Sequence, residues 1–321
     1  MKKNRNKIAI GGSLAAAVLL PAVIQSNYNQ ILLNQTLVYI IVALGLNFTM
    51  GLSGSFDFSV AAVFGLGSYT TALLTTRLGV NPWAGVLAAV CVGALVGLIL
   101  GVPSLRLKGI YFVLATLGFL EIVRQLLSNM TWLTGGTNGV ANIPSLEIFG
   151  LSLKNTKVFY YAALLFLLAG IGISYRIIYS KWGRTLIAIK DNEVAVDGCG
   201  IDKASFKIKA YMIGSCFTAF AGAMNAHLFQ FVHPADFTFD FTVKFIMMLM
   251  LGGLGTIPGC ILGGMIVTLL PEALKFLGEY YWLAFSILML VMMMFVPYGV
   301  VSVPGLLGKW MKRMGGKRRN G

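Results

Sequence analysis

Residues 181–209 read KWGRTLIAIKDNEVAVDGCGIDKASFKIK and form the longest polar interruption in an otherwise mainly apolar chain. Asp191 or Asn192 is placed to cap the backbone N–H groups of a short helix over residues 193–199. Gly200 can end that helix in the left-handed conformation. The pattern predicts a small helix-turn-helix that protrudes from a membrane-embedded body, as a docking surface for a soluble partner would. The competing interpretation is a solvated connection between two spans, which is the usual meaning of mixed charges.

The composition excludes an ordinary soluble protein. The 321 residues are 57% hydrophobic and 11% charged, and their mean hydropathy is +0.81. A net charge of +14 would suggest nucleic-acid binding in a soluble protein. Here the basic residues cluster between apolar runs, without the interleaved aromatic residues of a base-stacking groove. The sequence therefore predicts a polytopic membrane protein that contacts lipid and binds no nucleic acid.

The apolar runs predict an all-α bundle of about ten transmembrane helices with one short cytoplasmic helix, folded as a single transmembrane domain over residues 1–321. A helix needs about 20 apolar residues to cross the hydrocarbon layer. The predicted spans are 8–25, 31–50, 59–76, 83–102, 109–128, 158–178, 210–231, 240–256, 259–276 and 281–300. The first run is too long for a typical cleaved signal sequence, so we expect it to be retained as a helix.

The distribution of basic residues predicts the orientation in the membrane. With the N-terminus inside, 19 of the 25 Lys and Arg residues fall on the inner side, where such residues are enriched. Both termini are therefore expected in the cytoplasm. The same orientation places the loop 181–209 and the basic tail 302–321 inside, and the loop 129–157 outside.

Glycine is abundant, with 38 residues, and its spacing predicts close helix packing. Two Gly-rich interruptions, at 51–59 and 252–259, fall where helices should cross the membrane. Non-helical backbone at that depth is tolerated only where protein buries it or water reaches it. We predict that the bundle changes its packing at these points. The glycines assigned to helix breaks or gating are Gly51, Gly54, Gly252, Gly253, Gly255 and Gly259.

Four residues are candidates for a translocation path. Glu121 and Arg124 lie one helical turn apart in an apolar span, where ionisable groups suggest a functional site. The alternative is a self-neutralising structural pair that orients the helix against its neighbours. Thr116 is expected near the face of Glu121, with its hydroxyl towards a lumen. Asp57 lies in the first Gly-rich interruption, where a cap of the third span is the simpler interpretation.

No pattern in the sequence predicts catalysis, a metal or a bound cofactor. The four cysteines lack paired spacing, and His227 and His233 are the two histidines, so neither a metal site nor an acid–base pair is expected. The Gly-rich turn 134–139 lacks the strand and the Lys-Ser/Thr of a phosphate loop. If the protein uses ATP, another subunit must bind it.

Four stretches, taken in order, resemble the permease subunits of branched-chain amino-acid ABC importers, specifically the LivM-like half of the LivH/LivM pair. They are GLSGSFDF to FGLGSY (51–69), LRLKGIY to ATLGFLEIVR with LTGGTNG (105–139), GRTLIAIKDNE to GI (183–201) and LGGLGTIPG (251–259). The resemblance implies a transport subunit rather than an enzyme, in the bacterial cytoplasmic (inner) membrane.

The resemblance also implies site residues, partners and substrates. The implied ATPase-coupling residues are Asp191, Asn192, Glu193, Ala195, Val196 and Gly200, with Val196 in place of the family's second alanine. The implied partners are a homologous LivH-like permease, two ABC ATPase subunits that bind ATP and Mg, and an extracytoplasmic amino-acid-binding protein. The implied substrates are leucine, isoleucine and valine.

Alternatives stay open at the level of sequence. Related permeases for urea, short amides or other amino acids have nearly the same motifs. An ion-coupled secondary carrier is expected to hold more intramembrane acids. A membrane-embedded enzyme is expected to cluster His, Asp, Ser or Cys on facing spans.

Overall fold

The structure is a computed structural model that describes residues 18, 20–21, 26–148, 151–295 and 299–302. Within these ranges the chain is a bundle of α-helices. The helices are α1 (Asn27–Leu46), α2 (Val60–Arg77), α3 (Pro82–Gly101), α4 (Pro103–Arg106), α5 (Ile110–Asn129), α6 (Thr131–Thr134), α7 (Thr156–Ile178), α8 (Lys181–Asp191), α9 (Glu193–Gly198), α10 (Lys203–Phe229), α11 (Phe239–Gly252), α12 (Ile257–Ala273) and α13 (Tyr281–Phe295). The strands are β1 (Val140–Ala141), β2 (Glu147–Ile148), β3 (Leu151–Ser152) and β4 (Phe231–Val232).

The helices agree with most of the predicted spans. Four segments in the described part are long and apolar enough to cross a membrane: Asn27–Leu52, Pro82–Arg106, Ile110–Asn129 and Thr156–Ile178. Shorter apolar helices cover Ile257–Ala273 and Leu283–Met292. The chain is therefore a helical membrane bundle, and the count of about ten spans stays a prediction. Most of the predicted span 8–25, and the tail from residue 303 onwards, lie outside the described residues.

Helix α1 is the buried centre of the bundle. Residues 36–46 are all buried, and α1 packs against α7, α10, α11 and α12. A helix that is apolar on every side is expected to be enclosed by other helices. This arrangement places the end of α1, where the first Gly-rich interruption begins, inside protein.

Glycines allow α3 and α10 to pack with their backbones in close contact, as the sequence predicts. A Cβ atom built on Gly93 would lie 2.6 Å from the Ala219 Cβ atom. One built on Gly97 would lie 2.6 Å from the Tyr211 carbonyl oxygen. Since neither distance is compatible with a side chain, the small residues set the spacing of this helix pair.

The second Gly-rich interruption forms a tight hairpin between α11 and α12. A Cβ atom on Gly252 would lie 1.8 Å from the Gly259 carbonyl oxygen, and Gly253 and Gly255 have φ angles of 124° and 79°. These backbone conformations strongly favour glycine. Thr256 then caps α12 by accepting a hydrogen bond of 3.2 Å from the Gly259 N–H group. The chain thereby reverses within four residues between the two helices.

The two Gly-rich interruptions contact each other. After Leu46 the chain continues as a π-helical turn over Asn47–Leu52. The Asn47 side-chain oxygen accepts a hydrogen bond of 2.8 Å from the Gly255 N–H group. An added Cβ atom on Gly51 would lie 2.8 Å from the Gly255 nitrogen. The structure thus satisfies the requirement that irregular backbone at membrane depth be covered by protein.

The predicted outer loop is attached to the bundle. Strand β1 pairs with β4, with Val140 opposite Val232. The buried His227 lies 2.8 Å from the Pro144 carbonyl oxygen through Nδ1 and 2.9 Å from the Thr71 hydroxyl through Nε2. Because a carbonyl only accepts, Nδ1 carries the proton and Nε2 accepts from the hydroxyl. This histidine therefore joins the loop to α2 and α10.

Candidate coupling site and translocation path

The short predicted helix is present as α9, and Asn192 is its cap. The Asn192 side-chain oxygen accepts hydrogen bonds of 3.1 Å each from the Val194 and Ala195 N–H groups. The helix ends at Gly198, one residue earlier than predicted, and Gly200 has a φ angle of 72°. Asp191, the alternative cap in the sequence, instead ends α8. The polar stretch is thus a folded element with defined ends.

Helix α8 fixes this element against the bundle. Leu186 and Ile189 are completely buried. A Cβ atom on Gly183 would lie 2.3 Å from the Ile178 carbonyl oxygen, so the start of α8 lies directly against the end of α7. Trp182 stacks on Phe206 of α10 with ring centroids 6.3 Å apart. Helix α8 is consequently a rigid support for α9.

Glu193, the first residue of α9, is bound by two lysines from other elements. Its carboxylate lies 2.8 Å from the Lys108 Nζ atom and also forms an ion pair with Lys207. Partial burial raises the pKa of Glu193, but hydrogen bonds from both lysines outweigh burial and hold the pKa at about 2. The carboxylate therefore stays charged at neutral pH. It connects α9 to Lys207 of α10 and to Lys108, which lies two residues before α5.

A second connection runs from α8 to the first Gly-rich interruption. The Lys190 Nζ atom donates a hydrogen bond of 2.9 Å to the Gly51 carbonyl oxygen. The Lys190 side chain also covers Gly54, where an added Cβ atom would lie 2.8 Å from the lysine Cγ atom. The π-helical turn that follows α1 is therefore linked directly to α8.

Sequence reasoning missed the role of these three lysines. Lys108 lies in one of the stretches that resemble permeases, and Lys190 and Lys207 lie in the charged segment. Their spacing along the chain gives no sign that they converge on Glu193 and Gly51. Together they line an inner cavity of about 590 Å³, whose other walls include Ser53, Phe58, Ser104 and Phe112.

Helix α9 has a second ion pair to α10, between Asp197 and Lys203, and the rest of its surface is largely exposed. Val196 is buried and packs inwards, whereas Val194 is 80% exposed. Ala195, Gly198 and Cys199 are exposed as well. A helix that exposes a large apolar residue among small ones presents a surface suited to a protein partner.

Asp57 lies in the segment just before α2. It is buried, and its Oδ1 atom accepts hydrogen bonds of 2.9 Å from the Ser59 N–H group and 2.6 Å from the Ser59 hydroxyl. Ser59 immediately precedes α2. These contacts form a turn just before α2, whose N-cap residue Ser59 has no side-chain cap of its own. Both interpretations of Asp57, as a cap and as a path residue, stay predictions.

The expectation that Thr116 shares a face with Glu121 is wrong. Thr116 is buried, and its hydroxyl accepts a hydrogen bond of 3.2 Å from the Phe58 N–H group. The Phe58 carbonyl oxygen accepts from the Thr242 hydroxyl at 3.3 Å. The Thr116 hydroxyl thus pairs with a backbone N–H group of the first Gly-rich interruption. Glu121, in contrast, lies on the exposed side of α5.

Glu121 and Arg124 form the predicted ion pair, but it does not hold α5 to a neighbour. The Glu121 carboxylate accepts from Arg124 Nε at 2.9 Å, from Arg124 Nη2 at 2.5 Å and from Gln125 Nε2 at 2.9 Å. Within the described part of the chain these polar partners all belong to α5. The side chain of Glu121 is 53% exposed.

Comparison with known proteins shows the family of the chain. The family described as branched-chain amino acid transport system / permease component matches residues 30–297. The chain belongs to this family. It is 32% identical to the LivM permease protein of Salmonella typhimurium, over 93% of this chain and 76% of the relative. It is 33% identical to LivM of Escherichia coli K12, over 84% and 68%.

The chain also matches a second permease protein of branched-chain amino acid transport. The LivH permease protein of Escherichia coli K12 is 25% identical, over 88% of this chain and 96% of the relative. No solved structure matches the chain. Within the described residues, no group of three His, Cys, Asp or Glu side chains has the arrangement of a metal site.

Proposed function

We propose that this chain is the membrane-spanning permease subunit of an ATP-driven importer of branched-chain amino acids in the bacterial inner membrane. The observation that carries the proposal is the attachment of α9 to the transmembrane helices through Glu193 and of α8 through Lys190. A capped helix with an exposed apolar residue, fixed by charged contacts to two spans, is suited to transmit force. The names of the LivM and LivH relatives support leucine, isoleucine and valine as the substrates.

The subunit works with other chains in this proposal. A homologous permease forms the other half of the passage, and two ABC ATPase subunits bind ATP and Mg. An extracytoplasmic binding protein delivers the amino acid to the outer side. Both termini and α9 lie in the cytoplasm, in agreement with the excess of basic residues there.

Coupling follows from the contacts of α9. In this proposal α9 sits in a groove of an ATPase subunit, so it moves when the ATPases close on ATP. Lys108 precedes α5 by two residues, so the Glu193 ion pair passes this movement to the start of α5. Lys190 passes it to the Gly51 carbonyl in the π-helical turn that follows α1. The glycines of the two interruptions, which meet at Asn47 and Gly255, allow these helix ends to repack.

The test uses a substitution on the free surface of α9. We expect Val194→Asp to reduce co-purification of the ATPases at least tenfold and to abolish ATP-dependent leucine uptake in proteoliposomes that contain all the subunits. Val194 contacts little of its own chain, so the fold should be unaffected. The matched control is Leu78→Asp, which alters an exposed apolar residue just beyond α2, at the opposite side of the membrane.

Three results would contradict the proposal. Normal uptake by the Val194→Asp complex would exclude α9 as the docking element. Uptake driven by an ion gradient without ATP would indicate a secondary carrier. Competition by urea, but not by isoleucine or valine, would exclude the proposed substrate class.

A further inference from the structure

The exposed faces of most long helices suit a lipid environment. Helix α3 exposes Leu87, Leu95 and Ile99, and α7 exposes Leu165 and Ile173. Aliphatic side chains of this kind need no partner in the hydrocarbon layer. These two faces therefore require no further protein subunit to cover them.

Helix α5 differs from them at membrane depth. Glu121 and Gln125 lie along its exposed side, and the Asn129 Nδ2 atom donates a hydrogen bond of 2.9 Å to the Gln125 carbonyl oxygen. Glu121 is the twelfth of the 20 residues in α5, about 17 Å from the start of a helix about 30 Å long. Glu121 pairs with Arg124 and Gln125 of its own helix, but ionisable groups within a membrane span normally face protein or water rather than lipid. The polar side of α5 is thus poorly suited to lipid.

The same side also has room for another helix. Gly118 and Ala115 are exposed about one and two helical turns before Glu121, respectively. A Cβ atom on Gly118 would meet nothing within 4 Å. Small residues next to polar ones favour close helix packing with hydrogen bonds across the interface.

We propose that this surface of α5, formed by Ala115, Gly118, Glu121, Gln125 and Asn129, is the contact face for the homologous permease subunit. The inference rests on the proposed function, which supplies the second permease. A soluble partner does not reach this depth, and lipid does not solvate the polar groups, so the occupant is another membrane-spanning chain. The face is continuous with the coupling site, since Lys108 lies two residues before α5.

Photo-crosslinking in the assembled transporter tests the contact. A benzophenone amino acid is placed at Ile122 or Leu126, which flank the α5 face and are exposed. Matched controls carry it at Leu87 or Leu95 of α3. We expect adducts with the homologous permease from both α5 positions, in at least fivefold higher yield than from α3. Adducts from α5 with lipid alone, or with a second copy of this chain, would overturn the proposal.

A pair of glycine substitutions gives an independent readout. Gly118→Leu should lower co-purification of the homologous permease at least tenfold, because it fills the open position on α5. Gly172→Leu on α7 should leave it unchanged, since Gly172 is equally exposed and an added Cβ atom there also meets nothing within 4 Å. Equal co-purification of both variants would contradict the assignment. Failure of the unsubstituted chain to co-purify with the ATPases would instead contradict the proposed function, and this is measured first.

Discussion

Glu193 is the residue on which the attachment of the coupling element depends. Its position in the sequence identified it as a site residue, because it opens a capped helix in a stretch that resembles known permeases. Its two partners were not predictable, since Lys108 and Lys207 lie 85 residues before it and 14 residues after it along the chain. Convergence of this kind arises from the packing of α5, α9 and α10, which no local pattern encodes.

Replacing Glu193 by glutamine should loosen α9 without unfolding the bundle. Hydrogen bonds to charged groups contribute about 1.5–3 kcal/mol, and the largely buried Lys207 would lose its counter-charge. We expect amide exchange over residues 193–198 to speed up about tenfold or more, measured by hydrogen–deuterium exchange. Asp191→Asn is the control, because it makes the same chemical change at an exposed acid next to α9.

The pH dependence of the same exchange provides a further check. The pKa of Glu193 is depressed to about 2, so its contribution is fully present above the ordinary carboxyl pKa of about 4.3 and is lost only as the pH falls through about 2. After correction for intrinsic exchange, protection of α9 should be unchanged between pH 7 and pH 5. A loss of protection within that interval would show that the ion pairs do not hold the helix.

At the scale of elements, the placement of glycines predicted where helices are interrupted, whereas the side of α5 on which Thr116 lies was predicted wrongly. The Gly-rich interruptions were located from the sequence, but their mutual contact at Asn47 and Gly255 depends on how α1 and the α11–α12 hairpin pack. The misplacement of Thr116 has a simpler cause. Five residues of helix turn through about 500°, which leaves Thr116 and Glu121 about 140° apart around α5.

The α11–α12 hairpin should be intolerant of any side chain at Gly252. Gly252→Ala places a Cβ atom 1.8 Å from the Gly259 carbonyl oxygen, and overpacking of this kind costs about 1–3 kcal/mol or more. We expect a lower midpoint of thermal unfolding in detergent. Gly172→Ala on α7 is the control, because its Cβ atom has free space and alanine favours a helix. Equal midpoints would show that the hairpin does not depend on the absence of a side chain.

At the scale of the whole molecule, the composition was sufficient to identify a membrane bundle, and the order of four stretches was sufficient to identify the family. The orientation remains a prediction from basic residues. The face that meets a second subunit could not be inferred from the sequence, since Glu121 and Arg124 are compatible with a buried, a lumenal or an interfacial position. The exposure of the Glu121 side chain on α5 excludes the buried position.

The native cysteine Cys199 offers a direct test of orientation. It is exposed beside α9, whereas Cys91 lies within the apolar helix α3. A membrane-impermeant maleimide should label Cys199 in inverted membrane vesicles and not in right-side-out vesicles. The Cys199→Ser variant identifies the labelled site. Labelling of intact cells or right-side-out vesicles at Cys199 would reverse the predicted topology.

The inner cavity has a consequence for ions that are not transported. It is lined by three ammonium groups, from Lys108, Lys190 and Lys207, against the one carboxylate of Glu193. An excess of fixed positive charge raises the local potential and repels small cations, whereas a zwitterion has no net charge to be repelled. We expect Lys190→Met to increase potassium leakage from proteoliposomes, and Lys154→Met, in the outer loop, to leave it unchanged. Such a cavity, at one end of the path that we propose, would favour zwitterions over cations.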